Sequence, residues 1–329
     1  MPDVTRALPV DSPSRASLIQ ASRQQRLAVS LGSSFLGFAT HLGFLQELHR
    51  QGIHPTAISG SSAGAMVAGL FAAGIPFESM EHAFRQQRLR RAFDEWQTPF
   101  RLWGTLLGIP RYTGIFLGKK LEPLLREKLG DLRIEECTKA RLSIAVTDLS
   151  NHRIEIRQQG PLVETILASC AVPGVLAPRK IADRLYWDGG MGCPDPLDPF
   201  IVEEEITHIV SHSIIFGSRQ DKDAEQSGMS LLTALLAGNQ VGCDEMLRWK
   251  IEASRARGKT VIAAETKTPC PRLGLPLTIP SKSPWPEQVH QLMGLGAHTA
   301  KATLRNASHG PSPRTDFERS GHGEPLKDD

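Results

Sequence analysis

Three serines stand within four positions in the stretch Ala57 to Met66, AISGSSAGAM, so the first question is which of them is built to attack a carbonyl. A nucleophilic serine needs its hydroxyl raised at a sharp strand-to-helix turn, with small residues on both flanks so that strand and helix approach closely. Ser62 meets this pattern: Gly60-Ser61-Ser62-Ala63-Gly64 reads G-x-S-x-G, with Gly60 and Gly64 framing the elbow. Ser59 falls in the strand before the turn, and Ser61 lacks correctly spaced glycines. Ser62 also opens a helix, whose N-terminal amides and positive dipole end favour a developing oxyanion. The pattern points to acyl transfer, although taken alone it also arises as a plain glycine–serine turn capping a helix.

Two further stretches supply what such a serine needs. SLGSSFLG, Ser30 to Gly37, links a second strand to a second helix. It offers the amides of Gly32, Ser33 and Ser34, beside that of Ala63, as an oxyanion hole. YWDGG, Tyr186 to Gly190, delivers the carboxylate of Asp188 from a strand, followed by two glycines that let the backbone pass close to a neighbour. Two arrangements stay open. In a dyad Asp188 takes the proton of Ser62 directly; in a triad of the ordinary α/β-hydrolase kind His290 or His298 stands between them. Chain order favours the dyad, because triad hydrolases place several strands before the elbow and only Leu27–Ser30 and Ala57–Ser59 come before Ser62 here. A carboxylate is a weak base, so the dyad requires short contact and a desolvation that raises the pKa of Asp188. The histidines His41, His49, His208 and His212 read as surface or satisfied core residues, and His290 and His298 as lying near a frayed end.

These motifs in this order resemble the patatin-like phospholipases, serine lipid acyl hydrolases that use a Ser–Asp dyad. The likeness runs through the oxyanion loop, the elbow, AVTDLSNHRIEI (Ala145 to Ile156) and ILASCAVPGVLAPRKI (Ile166 to Ile181) to Asp188-Gly189-Gly190. It covers most of residues 27 to 200. It implies Ser62 as nucleophile, Asp188 as base, and cleavage of acyl esters of a lipid or phospholipid through an acyl-enzyme, with no organic cofactor and no metal. One departure matters. The family loop usually reads G-G-G-x-R-G, whereas this chain has Gly32-Ser33-Ser34-Phe35-Leu36-Gly37, with Leu36 where the arginine would stand. Serines can replace glycines as amide donors if the backbone needs no positive φ there. The departure also keeps open a different class of function, a lipid-binding or signalling module that retains the fold with weak or no turnover.

The elements that must position these residues follow from periodicity. A strand at Leu27–Ser30, a helix carrying Phe38, Leu42, Leu45 and Leu48 and closed at Gly52, a strand at Ala57–Ser59 and an apolar helix over Ser62–Ala73 make a βαβα opening. That opening implies a three-layer α/β fold, a mostly parallel central sheet with helices on both faces. Further strands are expected at Leu142–Thr147, Arg153–Ile156, Arg184–Trp187 and His208–Ile214, and helices at Leu117–Leu129, Leu162–Ser169 and Ser230–Arg255. Residues 1–24 and 306–329 are expected to be unstructured tails, because they hold almost nothing apolar to bury, leaving 25–305 as the catalytic domain. Asp148, Asp195 and Asp198 read as turn formers, and Cys170 as a packing residue.

Composition narrows the partners. The chain has 329 residues, 40% of them hydrophobic, and a formal charge of +3, with no basic tract of the kind that binds nucleic acid. Its five cysteines, Cys137, Cys170, Cys193, Cys243 and Cys270, have no metal-ligand spacing. No run approaches the roughly 18 apolar residues of a spanning helix. A cytoplasmic setting is expected, with peripheral contact at a membrane surface. The stretch Phe93 to Phe116 concentrates Trp96, Phe100, Trp103 and Leu107 beside the basic run Arg85–Arg91. It reads either as a buried helix pair or as a cover that opens at an anionic lipid surface. Oligomeric state is not legible.

Overall fold

The protein is described by a computed structural model over residues 14–34, 36–86, 88–89, 98–107, 109, 112–216, 231–268 and 285–306. In chain order it forms α1 (Arg15–Arg23), β1 (Leu27–Leu31), α2 (Phe38–Arg50), β2 (Ala57–Ser61), α3 (Ala63–Ala72) and α4 (Phe77–Arg85). Next come α5 (Thr98–Leu106), β3 (Gly114–Phe116), α6 (Leu121–Leu129), β4 (Arg141–Asp148), β5 (Arg153–Arg157), α7 (Leu162–Ser169), β6 (Gly174–Leu176) and β7 (Arg179–Ile181). The last are β8 (Arg184–Asp188), α8 (Asp198–Val202), β9 (His208–Phe216), α9 (Leu231–Ala256), β10 (Thr260–Thr268) and α10 (Trp285–Asn306).

Strands β10, β9, β1, β2 and β4 run parallel in that order, as the βαβα opening requires. β5 and β8 pair antiparallel with β4, and β7 with β8. Side chains of β1 divide between two cores: Leu27, Val29 and Leu31 pack with α2 and α3, while Ala28 packs with Leu247 and Ile251 of α9 on the other face. Helices cover both faces of a mostly parallel sheet, which is the expected three-layer class.

The register of β4 is the feature that matters for chemistry. β2 pairs with residues 141–145 of β4, ending at Ser61 opposite Ala145. β8 pairs with residues 146–148, and its last residue, Asp188, sits opposite Val146. Because β5 occupies the other side of β4 over residues 144–148, β2 and β8 share one edge and meet end to end. Ser61 and Asp188 are thereby held at successive positions of one strand.

Three expectations are corrected. The first concerns the N-terminal tail, since residues 15–23 form a helix rather than an unstructured segment. Ser14 Oγ caps it by accepting from Ser17 N–H at 3.1 Å, and Leu18 and Ala21 enter the main core. Two buried apolar side chains and a cap suffice there, a signal that Ser/Arg/Pro-rich composition hides. The rest of that tail, and the tail after Asn306, lie outside the described residues. The second concerns His290 and His298, which lie on no frayed end but on α10, a helix of 22 residues packed along α2. Backbones nearly touch at that crossing: a Cβ on Gly43 would collide with the Met293 carbonyl, and one on Gly296 with the Thr40 carbonyl. Trp285 anchors the start of α10 by donating Nε1–H to the Phe84 carbonyl at 2.8 Å. The third concerns the helix expected from Leu117, which starts at Leu121, after Gly118 at φ +66°.

Candidate active site

Ser62 stands between β2 and α3 with φ +54° and ψ −120°, a conformation that L side chains rarely adopt. Sequence makes the turn possible and packing makes it obligatory. A Cβ on Gly60 would strike the backbone of Gly64 and Ala65, and one on Gly64 would strike the Leu31 carbonyl at the end of β1. Strand, helix and neighbouring strand thus meet at backbone distance, and the turn between them has no room to relax. Ser62 N–H is held by Ser169 Oγ at 2.9 Å, and Ser169 in turn donates to the Ala145 carbonyl at 2.7 Å. Cys170 donates its thiol proton to the Ser62 carbonyl at 3.2 Å, and burial, reinforced by Asp188, pushes its pKa up. That is the packing role expected of it rather than a reactive thiolate.

Asp188 is buried at the end of β8. Its Oδ1 accepts from Gly190 N–H at 2.6 Å, while Oδ2 is buried without a full hydrogen bond. The Ser62 hydroxyl is close enough to favour the ionised carboxyl without completing a bond to it. Burial dominates over both neighbours and raises the pKa from 3.8 to about 7. The two glycines that follow explain themselves sterically. A Cβ on Gly189 would collide with the Ala145 carbonyl and Ser61 Oγ, and one on Gly190 would press on Ser33. A carboxyl with a free oxygen, a pKa near neutrality and a strained serine beside it can accept a proton from a hydroxyl.

The oxyanion loop departs from expectation. Gly32 N–H donates to the His212 carbonyl at 2.9 Å, and Ser33 N–H donates to the Pro194 carbonyl at 2.7 Å, so neither amide is free for an oxyanion. Among the described residues the amides of Ser34 and Ala63 have no such partner. Ser33 and Ser34 avoid positive φ, so replacing glycine costs the backbone nothing there; among the described residues of this loop a positive φ falls at Leu36, +56°. Asp195 is more than a turn former. It is buried behind the loop, accepts from Ser213 Oγ at 2.6 Å, and burial raises its pKa to about 6. Asp198 instead pairs with Lys250 at 2.7 Å. Asp148 does order a turn, accepting from Ser150 N–H, Asn151 N–H and Asn151 Nδ2.

Ser34, Ser62 and Ala63 open onto a cleft whose remaining walls are apolar, among them Met66, Leu89, Leu121 and Val175. A second, mostly apolar pocket shares Met66, Leu89 and Leu121 as its wall, continues past Leu70 and Leu125, and is also lined by Gln86, Glu127 and Lys128. His290 and His298 are exposed on α10 and line neither cavity. The histidines near the loop are His41 on α2 and His212 on β9, both fully buried, which sequence spacing does not reveal because pairing of β1 with β9 brings them there. Among the described residues no group of three His, Cys, Asp or Glu side chains is arranged to hold a metal ion.

A family model described as patatin-like phospholipase matches residues 29–201, more than half of the chain. An uncharacterized NTE family protein of Mycobacterium tuberculosis is 32% identical over 203 residues, covering 60% of this chain and 52% of that protein. The chain therefore spans about half the length of that relative. A patatin-like phospholipase domain-containing protein of Caenorhabditis elegans is 25% identical over 167 residues, covering 50% of this chain and 12% of its own. Among solved structures, VipD from Legionella pneumophila overlaps with a TM-score of 0.45 at 16% identity, over 85% of this chain and 66% of that one.

The raised pKa of Asp188 carries a stability signature with a definite sign. A carboxyl whose folded pKa lies above its unfolded value favours folding below about 3.8 and loses that contribution as pH rises through about 7. Asp188→Asn keeps the acceptor for Gly190 N–H and has no charge to bury. It is expected to melt above wild type at pH 8, by on the order of a few kcal/mol in stability, with the gap closing toward pH 4. Melting temperatures across that range check this; a gap independent of pH would mean Asp188 is not titrating in a buried site.

Proposed function

The chain belongs to the patatin-like phospholipase family, and from that membership we propose that residues 25–305 form a lipid acyl hydrolase working through Ser62 and Asp188. Ser62 Oγ bonds to the ester carbonyl carbon as its proton passes to Asp188 Oδ2. The tetrahedral oxyanion collapses, the bond to the alcohol breaks, and the alcohol leaves with the proton from Asp188. Water then attacks the acyl-enzyme, again giving a proton to Asp188, and collapse releases the fatty acid and returns the proton to Ser62. The observation that carries this reading is the junction itself: a serine at φ +54°, opening onto the polar end of an apolar cleft, with a buried carboxyl behind it that keeps one unpartnered oxygen. The Gly60-x-Ser62-x-Gly64 elbow and the free amide of Ala63 at the start of α3 support it.

The cleft supports an acyl chain as the group bound next to Ser62. Its walls are side chains that an alkyl chain can cover, and Met66 and Leu70 continue down α3 one and two turns beyond the serine into the second cavity. The surface supports a lipid aggregate as the source. Phe100, Trp103 and Leu107, spaced three and four residues apart on and just after α5, are each about two-thirds exposed, while Arg101 turns inward to the Gly114 carbonyl. α5 packs on β3, and β3 pairs with β6, whose Val175 and Leu176 line the cleft. Of the basic run, Arg85 and Arg88 pair with Glu81 and Glu127 instead of standing free for phosphates. Residues 90–97 of that stretch lie outside the described residues. Among the described residues no helix is long and apolar enough to cross a membrane.

One observation favours the second reading, a module that binds acyl lipid without turnover: two of the three loop amides expected to hold an oxyanion are already bonded. A fluorophosphonate probe separates the readings. Hydrolysis requires that it label Ser62, that Ser62→Ala abolish labelling, and that Asp188→Asn lower kcat by about 10²–10⁴. An unlabelled wild-type protein that still binds fatty acid would establish the binding module.

The lipid-surface component is checked with Trp103→Asp. It should weaken binding to anionic phospholipid vesicles about ten- to a hundredfold while leaving cleavage of a soluble p-nitrophenyl ester nearly unchanged. Equal losses on both would make α5 ordinary structure.

A further inference from the structure

Ser34 belongs to the loop in which two bonded amides leave an oxyanion short of donors. Ser34 lines the cleft with Ser62 and Ala63, and its Oγ lies 3.3 Å from His41 Nε2. His41 Nδ1 lies 2.9 Å from His212 Nδ1, His212 Nε2 lies 2.8 Å from Thr266 Oγ1, and Thr266 and Thr299 hydroxyls are 2.8 Å apart. This chain runs from the cleft through α2, β9 and β10 to α10. Both imidazoles are fully buried, and Phe44 stacks flat on His212 with centroids 3.9 Å apart. Room for the Ser34 hydroxyl is reserved by Gly37, where any Cβ would collide with Ser34 Oγ.

Counting protons settles what the chain can do. Burial lowers the pKa of both rings, that of His41 to about 3, so each is neutral and carries one N–H. Two neutral imidazoles facing each other through Nδ1 must have one donor and one acceptor there, so all bonds in the chain point one way. If they point outward, Ser34 spends its single proton on His41 and offers the cleft only lone pairs. If they point inward, Thr299 donates to Thr266 in place of accepting from it, Thr266 donates to His212 Nε2, His212 Nδ1–H to His41 Nδ1 and His41 Nε2–H to Ser34 Oγ, which frees the Ser34 proton for the cleft. Only the inward arrangement, with the His41 proton on Nε2, leaves the Ser34 proton for the cleft. Each bond polarises the next, which strengthens the terminal hydroxyl as a donor.

We propose that the Ser34 hydroxyl is an oxyanion donor of the Ser62 reaction, and that His41 and His212 are positioning residues that aim its proton into the cleft. The proposal rests on the acyl-transfer reading of Ser62 and adds to it a side-chain donor that takes over from the bonded amides of Gly32 and Ser33. His212 acts on the loop twice, its carbonyl holding Gly32 N–H and its ring orienting His41.

Two measurements test it. In the wild-type protein, imidazole nitrogen shifts from histidine-selective 15N labelling should show His41 protonated at Nε2 and His212 at Nδ1; any other pattern overturns the proposal whether or not the protein turns over substrate. In kinetics on a soluble p-nitrophenyl ester, Ser34→Ala, which removes one oxygen atom, should lower kcat about 10²–10³-fold with KM nearly unchanged. His41→Ala should do the same, and His41→Gln, which keeps an amide N–H toward Ser34, should recover part of the loss. A Ser34→Ala enzyme within about threefold of wild type, while Ser62→Ala is inactive, overturns the proposal and leaves the acyl-transfer reading standing. Hydrolysis that survives Ser62→Ala removes both.

Discussion

The close approach of three backbone segments at one point governs this structure. Gly60 lies against Gly64, and Gly64 lies against the Leu31 carbonyl, so β2, α3 and β1 converge with no side chain between them. Ser62 is the residue that must absorb the turn, at a φ that costs of order 1–3 kcal/mol and persists only because its surroundings over-determine it. Everything useful about the serine follows from that constraint. Its hydroxyl is lifted from the sheet, the helix N-terminus begins directly behind it, and the end of β1 delivers the Gly32–Gly37 loop to its side. The same economy recurs at Gly189, which must lie against Ala145 and Ser61 for β8 to end where β2 ends.

Around this junction the protein keeps ionisable groups dry, and their fates differ with what they touch. Asp188 retains one free oxygen and titrates near neutrality. Asp195, behind the loop, has a serine hydroxyl and the nearby Lys250 to favour its charge, and its pKa stays lower, about 6. Among the described residues no anion favours a positive charge on His41 or His212, and burial keeps them neutral donors and acceptors. A site walled by apolar strands gives each of these groups more influence than it would have in water, because a low local dielectric strengthens every hydrogen bond that is made and penalises every one that is not.

The elements that carry local chemistry were legible in the sequence. G-x-S-x-G needs only five neighbours to define it, β1, α2, β2 and α3 follow from short-range periodicity, and Asp188-Gly189-Gly190 marks a strand end at which backbone passes close to backbone. What escaped detection depends on pairing between distant segments. No spacing rule says that β9 will lie beside β1 and bond its His212 carbonyl to Gly32, or that Pro194 will take the Ser33 amide, so the loop looked like a ready oxyanion hole when two of its amides were committed. α10 was hidden similarly: Gly294 and Gly296 weaken its helical signal, and Gly296 is there because α2 crosses it at backbone distance. α1 escaped for the opposite reason, having only Leu18 and Ala21 to bury.

In the proposed reaction Asp188 itself, kept near neutrality by burial, removes the proton from Ser62. The pH dependence of kcat/KM on a soluble ester tests it most directly, since that profile reports the free enzyme's essential base. Because the exposed His290 and His298 line neither cavity, the base that titrates should be the carboxyl. The expected result is a rate that rises with unit slope through an apparent pKa near 7 and is level above it. A rising limb near the ordinary carboxylate value, about 4, or a profile flat through neutrality, would contradict it.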